Sequence, residues 1–241
     1  MKNSVRFSIL GSVPALTAVL MIGFGSAAFA KPRLQTGPDA EVTFDGLYRV
    51  DKSVMDAAWV KPDLDLSGYK KLMLASAGIQ YKHVDSEGKH YWPGRSDETE
   101  FPISEEGKAR FQQEVRDAFL KELSKLERYE IVAEPGPDVL MLVGGLIDVV
   151  SQVPPINECT GRCDVYLASV GEATLVIELR DSESNEVLAR AADRRAAENA
   201  GWPVEANSVT VWPEVRRLAQ TWASILRKRL EDFESVDELK R

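Results

Sequence analysis

The chain is poor in the residues that carry most enzyme chemistry. Its 241 residues include two cysteines and two histidines. Serine hydrolysis needs a base beside its nucleophile, and only His83 and His90 could serve. No Gly-x-Ser-x-Gly elbow is present. No Gly-rich phosphate loop occurs either, because Gly144-Gly145 sits inside an apolar run and no Lys-Ser/Thr pair follows. A zinc site built on the two cysteines would lack two ligands. Catalytic, metal-binding and cofactor-binding residues are therefore expected to be absent, which points away from an enzyme.

Positive charge is also short. Setting aside Lys2 and Arg6, 28 bases face 38 acids, a balance of −10. Such a surface repels phosphate backbones and anionic lipid head groups, so nucleic acid is not an expected partner.

Long apolar runs are missing after residue 30. The longest, Val139 to Val150, contains Gly144, Gly145 and Asp148 and reads as a buried strand, since a span needs about 20 apolar residues. The start of the chain differs. Lys2 and Arg6 precede an apolar run from Phe7 to Phe29 that ends in Ala28-Phe29-Ala30, the small-x-small pattern of a cleaved secretory signal. Cleavage is expected between Ala30 and Lys31, with no membrane span left afterwards and a periplasmic or secreted product; the alternative is a retained anchor. In that oxidising compartment, Cys159 and Cys163, three residues apart around Gly161, are expected to form a disulfide.

The remaining residues are read as a flexible leader over 31–43, one domain over 44–233 and a charged tail over 234–241. The 44% hydrophobic fraction is that of an ordinary globular protein. Strands are predicted at Met55–Val60, Lys70–Tyr81, Tyr129–Val132, Val139–Val153, Val165–Arg180 and Glu186–Ala197. Leu167, Ala173, Leu175, Ile177 and Leu179 alternate with Glu172, Thr174, Glu178 and Arg180, giving one dry and one wet face. Asp181–Asn185 is a hairpin loop and Pro135-Gly136-Pro137-Asp138 a turn. Gly144-Gly145 predicts a bulge.

Two helices are predicted. Ser104 caps the first, which carries Phe111, Val115, Ala118, Phe119, Glu122, Leu123 and Leu126 on one stripe. The second, from Thr210 to Phe233, carries Val211, Val215, Leu218, Trp222, Ile225, Leu226 and Leu230. Small residues Ala189, Ala191 and Ala192 would leave room for a docking helix. The expected architecture is an α+β two-layer domain: a mostly antiparallel, mixed sheet with two amphipathic helices on one face.

Three stretches carry a family resemblance: Leu66-Ser67-Gly68-Tyr69-Lys70-Lys71-Leu72-Met73; Tyr129-Glu130-Ile131-Val132 with Pro135-Gly136-Pro137-Asp138-Val139-Leu140; and Gly171-Glu172-Ala173 through Glu178-Leu179-Arg180-Asp181-Ser182 to Glu186-Val187-Leu188-Ala189. Their order resembles the exported bacterial domain-of-unknown-function 3313 family, over about residues 45–232. The resemblance implies an envelope location and no particular activity. Many members are lipoproteins, but no lipobox cysteine occurs here.

The residue-level candidates are few. His83, His90, Tyr91 and Trp92 could form a ligand or metal loop, against the plainer reading of a solvated loop. Asp148 could be a buried acid, though a solvent-facing position is the commoner one. Arg190, Asp193, Arg194 and Arg195 suggest cross-strand ion pairing. Tyr91, Trp92, Phe101, Trp202 and Trp212 could line a groove or cover the core.

The expected function is a non-catalytic envelope or periplasmic protein that binds a partner protein or supports an envelope complex. The alternatives are a periplasmic enzyme or binder using the His83–Trp92 loop, and a small-molecule carrier with an apolar pocket between helices and sheet. Oligomeric state is not legible.

Overall fold

Eight strands pair into one mixed sheet, and alternation along the central strands decides which face becomes the core. A computed structural model describes residues 31–84, 100–153, 166–167, 169–198, 204–205 and 208–240. The strands are β1 (Arg33–Leu34), β2 (Tyr48–Asp51), β3 (Ala57–Val60), β4 (Lys71–Tyr81), β5 (Glu130–Val132), β6 (Val139–Ser151), β8 (Ser169–Asp181) and β9 (Val187–Glu198), in the order β1-β2-β3-β9-β8-β6-β4-β5. Contacts of β4 with β5 and β6 are parallel, and the others antiparallel. A separate ribbon joins β7 (Tyr166–Leu167) to β10 (Val204–Glu205). The helices are α1 (Glu105–Leu123) and α2 (Ser208–Asp232). The fold is α+β.

Burial along β8 follows the predicted alternation. Ala173, Leu175, Ile177 and Leu179 are buried, and the residues between them are half-buried. Leu142 of β6 and Ile177 of β8 line spaces under both α1 and α2, so the two helices share one face. That face holds the main core, centred on Leu72, Leu140, Leu142, Leu175, Ile177 and Trp222.

In β4 the extra residue is Ala77. Ser76 pairs with Gly144 and Gly78 with Gly145, so the parity of the strand flips there. Leu74 before the bulge and Ile79 and Tyr81 after it therefore all face the helices, and Tyr81 meets Phe111 edge-on at 6.2 Å. The glycine pair does mark a bulge, but on the neighbouring strand. A Cβ on Gly145 would lie 3.1 Å from the Ala77 Cβ and 3.3 Å from the Gly78 carbonyl, so the glycine lets the bulged strand approach.

Ser104 caps α1 by accepting the Gly107 N–H at 3.1 Å. Ala118 and Leu123 are the buried residues of its stripe. In α2 the buried positions are Val215, Ala219, Trp222, Ala223 and Leu230. The helices are laced together by Arg216 to Glu114 at 2.8 and 2.9 Å, Arg227 to Glu122 at 3.0 Å, and Arg110 over the Trp212 ring at 4.7 Å. Partner numbers rise together along both helices, so α1 and α2 run in the same sense.

Both ends of the described body pack against it. Leu34 in β1 is buried and pairs with Val50, and its N–H bonds the Leu239 carbonyl. Val236 is buried in a short 3-10 turn where Glu238 closes a capping box on Ser235. Burying Leu34 and Val236 ties the ends down. Residues Lys31–Arg241 form one compact unit.

Candidate functional site

Among the described residues, the chemistry-bearing candidates do not assemble into a reactive centre. Among the described residues, no group of three or more His, Cys, Asp or Glu is placed to hold a metal ion. No helix among them is long and apolar enough to cross a membrane. His83 follows the end of β4. His90, Tyr91 and Trp92, the other members of that loop, lie outside the described residues, as do Ala30, Cys159, Cys163 and Trp202.

Asp148 is exposed, with φ +54° at the register shift between Ile147 and Val150. It is not a buried acid. Phe101 is a core residue, paired through its backbone with Ser151. Trp212 lies under Arg110, and Tyr91, Trp92 and Trp202, the rest of that aromatic group, lie outside the described residues.

The charged end of β9 separates by strand parity. Arg190 and Arg194 point to the open face. Arg190 bridges Glu178, its register partner, at 2.8 Å and Asp45 at 2.7 Å, while Arg194 pairs with Glu172. Burial pushes the Glu178 carboxyl upward, but bonds from Arg180 and Arg190 outweigh it and hold the carboxyl below its usual range. Asp193 points the other way and is 2% exposed. It accepts from Trp222 Nε1 at 2.7 Å, from the Asp56 N–H at 3.1 Å, and from Arg195. This is a satisfied structural acid rather than a member of a surface ion-pair strip.

What the sheet and helices do create is space. Two clefts lie between them, separated by Leu142, Ile177 and Leu226, which line both. The β9 cleft, about 570 Å³, has Val50, Ala58, Val60, Leu179, Ala189 and Ala191 as floor and Ile225, Leu226 and Leu230 of α2, with Phe233 just after it, as roof. Its floor is shallow because Ala58 pairs with Ala191 and Val60 with Ala189. Small residues on β9 do make room for a helix, as the sequence suggests, but α2 leaves part of that room unfilled. Sealed and empty, a void of this size would cost on the order of 10 kcal/mol. It opens instead at a mouth bearing Lys31, Arg229, Asp232 and Glu238.

The β4 cleft, about 630 Å³, lies between α1 and the sheet. Leu74, Ile79, Tyr81, Val115, Phe119 and Leu120 are among its walls. It runs beside an unpaired strand edge. β5 covers only Lys71–Met73 of β4, and no described strand pairs with Leu74–Tyr81 on that side. Ser76, Ala77, Gly78 and Gln80 are exposed along this edge, and Leu120 on α1 is 50% exposed above it. The sequence offers an apolar pocket between helices and sheet only as an alternative and does not place its walls, which come from segments as far apart as Lys31 and Leu239. Only the run of alanines in β9 hinted at one of them.

No curated protein matches the chain. Several solved structures resemble it at low identity. The PelC dodecamer from Paraburkholderia phytofirmans is 11% identical, covering 70% of this chain and 96% of that one, with a TM-score of 0.34. Protein XCC0632 from Xanthomonas campestris is 11% identical over 68% of this chain and 84% of its own, TM-score 0.40. A putative neuraminyllactose-binding hemagglutinin homolog from Helicobacter pylori is 12% identical over 70% and 86%, TM-score 0.38. Similarity at this level carries no argument about activity. The family model is decisive where these are not: the model described as protein of unknown function DUF3313 matches residues 42–226, and the chain belongs to that family.

Proposed function

We propose that the chain is an exported, non-catalytic envelope protein that takes up an extended segment of a partner protein along the free edge of β4. The observation that carries this reading is the edge at Leu74–Tyr81, unpaired among the described residues, beside an apolar cleft. An unpaired strand presents a row of backbone donors and acceptors, and an added strand satisfies them while alternate side chains enter an adjoining pocket. Here that pocket is the β4 cleft, with Leu120 exposed at its rim.

Export is supported by Lys2, Arg6, the apolar run and Ala28-Phe29-Ala30, with cleavage between Ala30 and Lys31. The product would be periplasmic or secreted, and Cys159 and Cys163 would close a disulfide there.

A photo-crosslinking residue at Gln80, introduced into cells, tests the reading. It should capture a defined protein, and Leu120→Asp should abolish capture without unfolding the chain. The same probe at exposed Ser184 should capture nothing. Equal capture at Ser184, capture that survives Leu120→Asp, or substrate turnover without capture would overturn the proposal.

A further inference from the structure

The β9 cleft is separate from the β4 edge and has a different chemistry. Its interior is aliphatic on both sides, from Val60 and Leu179 on the sheet to Leu226 and Leu230 on α2. Its inner polar hydroxyl, that of Ser53, is engaged by the Met55 N–H at 3.1 Å. A ligand with polar groups along its length would find few partners inside. A ligand whose polarity is confined to one end would find none missing.

The mouth supplies that end. Arg190 turns its guanidinium to the open face of the sheet, where Asp45 and Glu178 hold it. Glu238 is engaged by the N–H groups of Glu234 and Ser235. Among the described residues, Arg229 and Lys31 form no ion pair. Arg229 is exposed on the last turn of α2, where the same helix sends Leu226 and Leu230 into the cleft. A planar guanidinium at the mouth of an aliphatic slot matches a carboxylate on an alkyl chain, since arginine binds a carboxylate through two parallel hydrogen bonds.

We infer that the β9 cleft binds a fatty acid, its acyl chain between α2 and the sheet and its carboxylate at Arg229. The floor pairs Ala58–Ala191 and Val60–Ala189 are the specificity device: a larger side chain at either alanine of the first pair would occupy the space meant for the chain. The inference does not depend on the partner-binding reading, because the two sites share only the partition of Leu142, Ile177 and Leu226.

The test uses the purified chain titrated with cis-parinaric acid, whose fluorescence rises in an apolar site, and with its methyl ester. Saturable binding of one acid per chain is expected. Ala191→Phe should weaken binding of acid and ester alike by at least about tenfold. Arg229→Glu should weaken the acid about tenfold and leave the ester unchanged, as loss of a charge-assisted hydrogen bond does. Leu120→Asp, in the other cleft, should leave both unchanged. Absence of saturable binding, acid affinity unchanged in Arg229→Glu, or an effect of Leu120→Asp matching that of Ala191→Phe would each overturn the proposal. Arg229 is exposed, so its variant keeps the test valid even where Ala191→Phe fails to fold.

Discussion

Trp222 Nε1 donates a 2.7 Å hydrogen bond to Asp193 Oδ2, pinning the middle of α2 to β9. The indole is 1% exposed and the carboxylate 2%. Removing the carboxylate leaves three donors, from Trp222, Asp56 and Arg195, with one acceptor fewer in a dry site. Asp193→Ala should cost about 3–5 kcal/mol, the usual penalty for breaking a buried charged pair. Urea denaturation measures it. Asp193→Asn, which keeps an acceptor oxygen, should cost visibly less; equal losses would mean that packing rather than hydrogen bonding holds the pair.

Gly171 is required by contact rather than by a turn. A Cβ there would sit 2.3 Å from the Val150 carbonyl oxygen, and φ is +154°. Gly171→Ala must displace β6 or β8 where they pair, at Ser151. A loss of at least about 1–3 kcal/mol is expected, against less than about 1 kcal/mol for alanine at Gly68, where the Cβ would meet nothing.

Tyr69 donates to Asp181 Oδ2 at 2.9 Å, and the pair sets two pH limits. Burial, then the bond to Asp181, pushes the phenol up to about 12. A raised folded pKa gives stability that is fully present below pH 10 and lost as pH rises towards 12. Asp181 is held below its usual range, first by the Ser184 N–H, and this contribution is present above about pH 4 and lost as pH falls through the depressed value. Thermal melts across pH should show both flanks, and Tyr69→Phe should shrink the alkaline one, to which Tyr81 and Tyr129, also raised by burial, contribute as well.

The ion pairs between the helices should matter unequally. Arg216 is 48% exposed where it bridges Glu114, so Arg216→Ala should cost about 0.2–1 kcal/mol. Arg227 is 20% exposed and bridges both Glu122 and Glu231, so Arg227→Ala should cost more. Chemical denaturation of the two variants side by side checks the order, and added salt should erase the Arg216 effect first.

Local pattern carried much of the fold. The Ser104 cap, the stripes of α1 and α2 and the alternation of β8 are set by neighbours three or four residues away in a helix and two away in a strand. Glu122, which sits in the apolar stripe of α1, is there because α2 offers Arg227 across the seam. The parallel pairing of β4 with β5 and β6 was not legible, because a strand's periodicity says which face is dry and not which strand lies beside it. Asp193 was missed for a related reason. Its three charged neighbours suggested a wet strip, whereas its side-chain parity places it with Leu175, its register partner, under Trp222.

The sequence by itself determined that this chain is acidic, short of catalytic residue types, and able to build two amphipathic helices and a mostly antiparallel sheet. Those properties follow from composition and from spacings along the chain. Only the tertiary structure decided that no described strand covers β4 beyond Met73 on its β5 side, and that Ala58 and Ala191, 133 positions apart, meet to floor a cleft beneath Arg229. An unfilled space is a property of side-chain volumes brought together from distant segments, and that juxtaposition exists only once the sheet has closed its register.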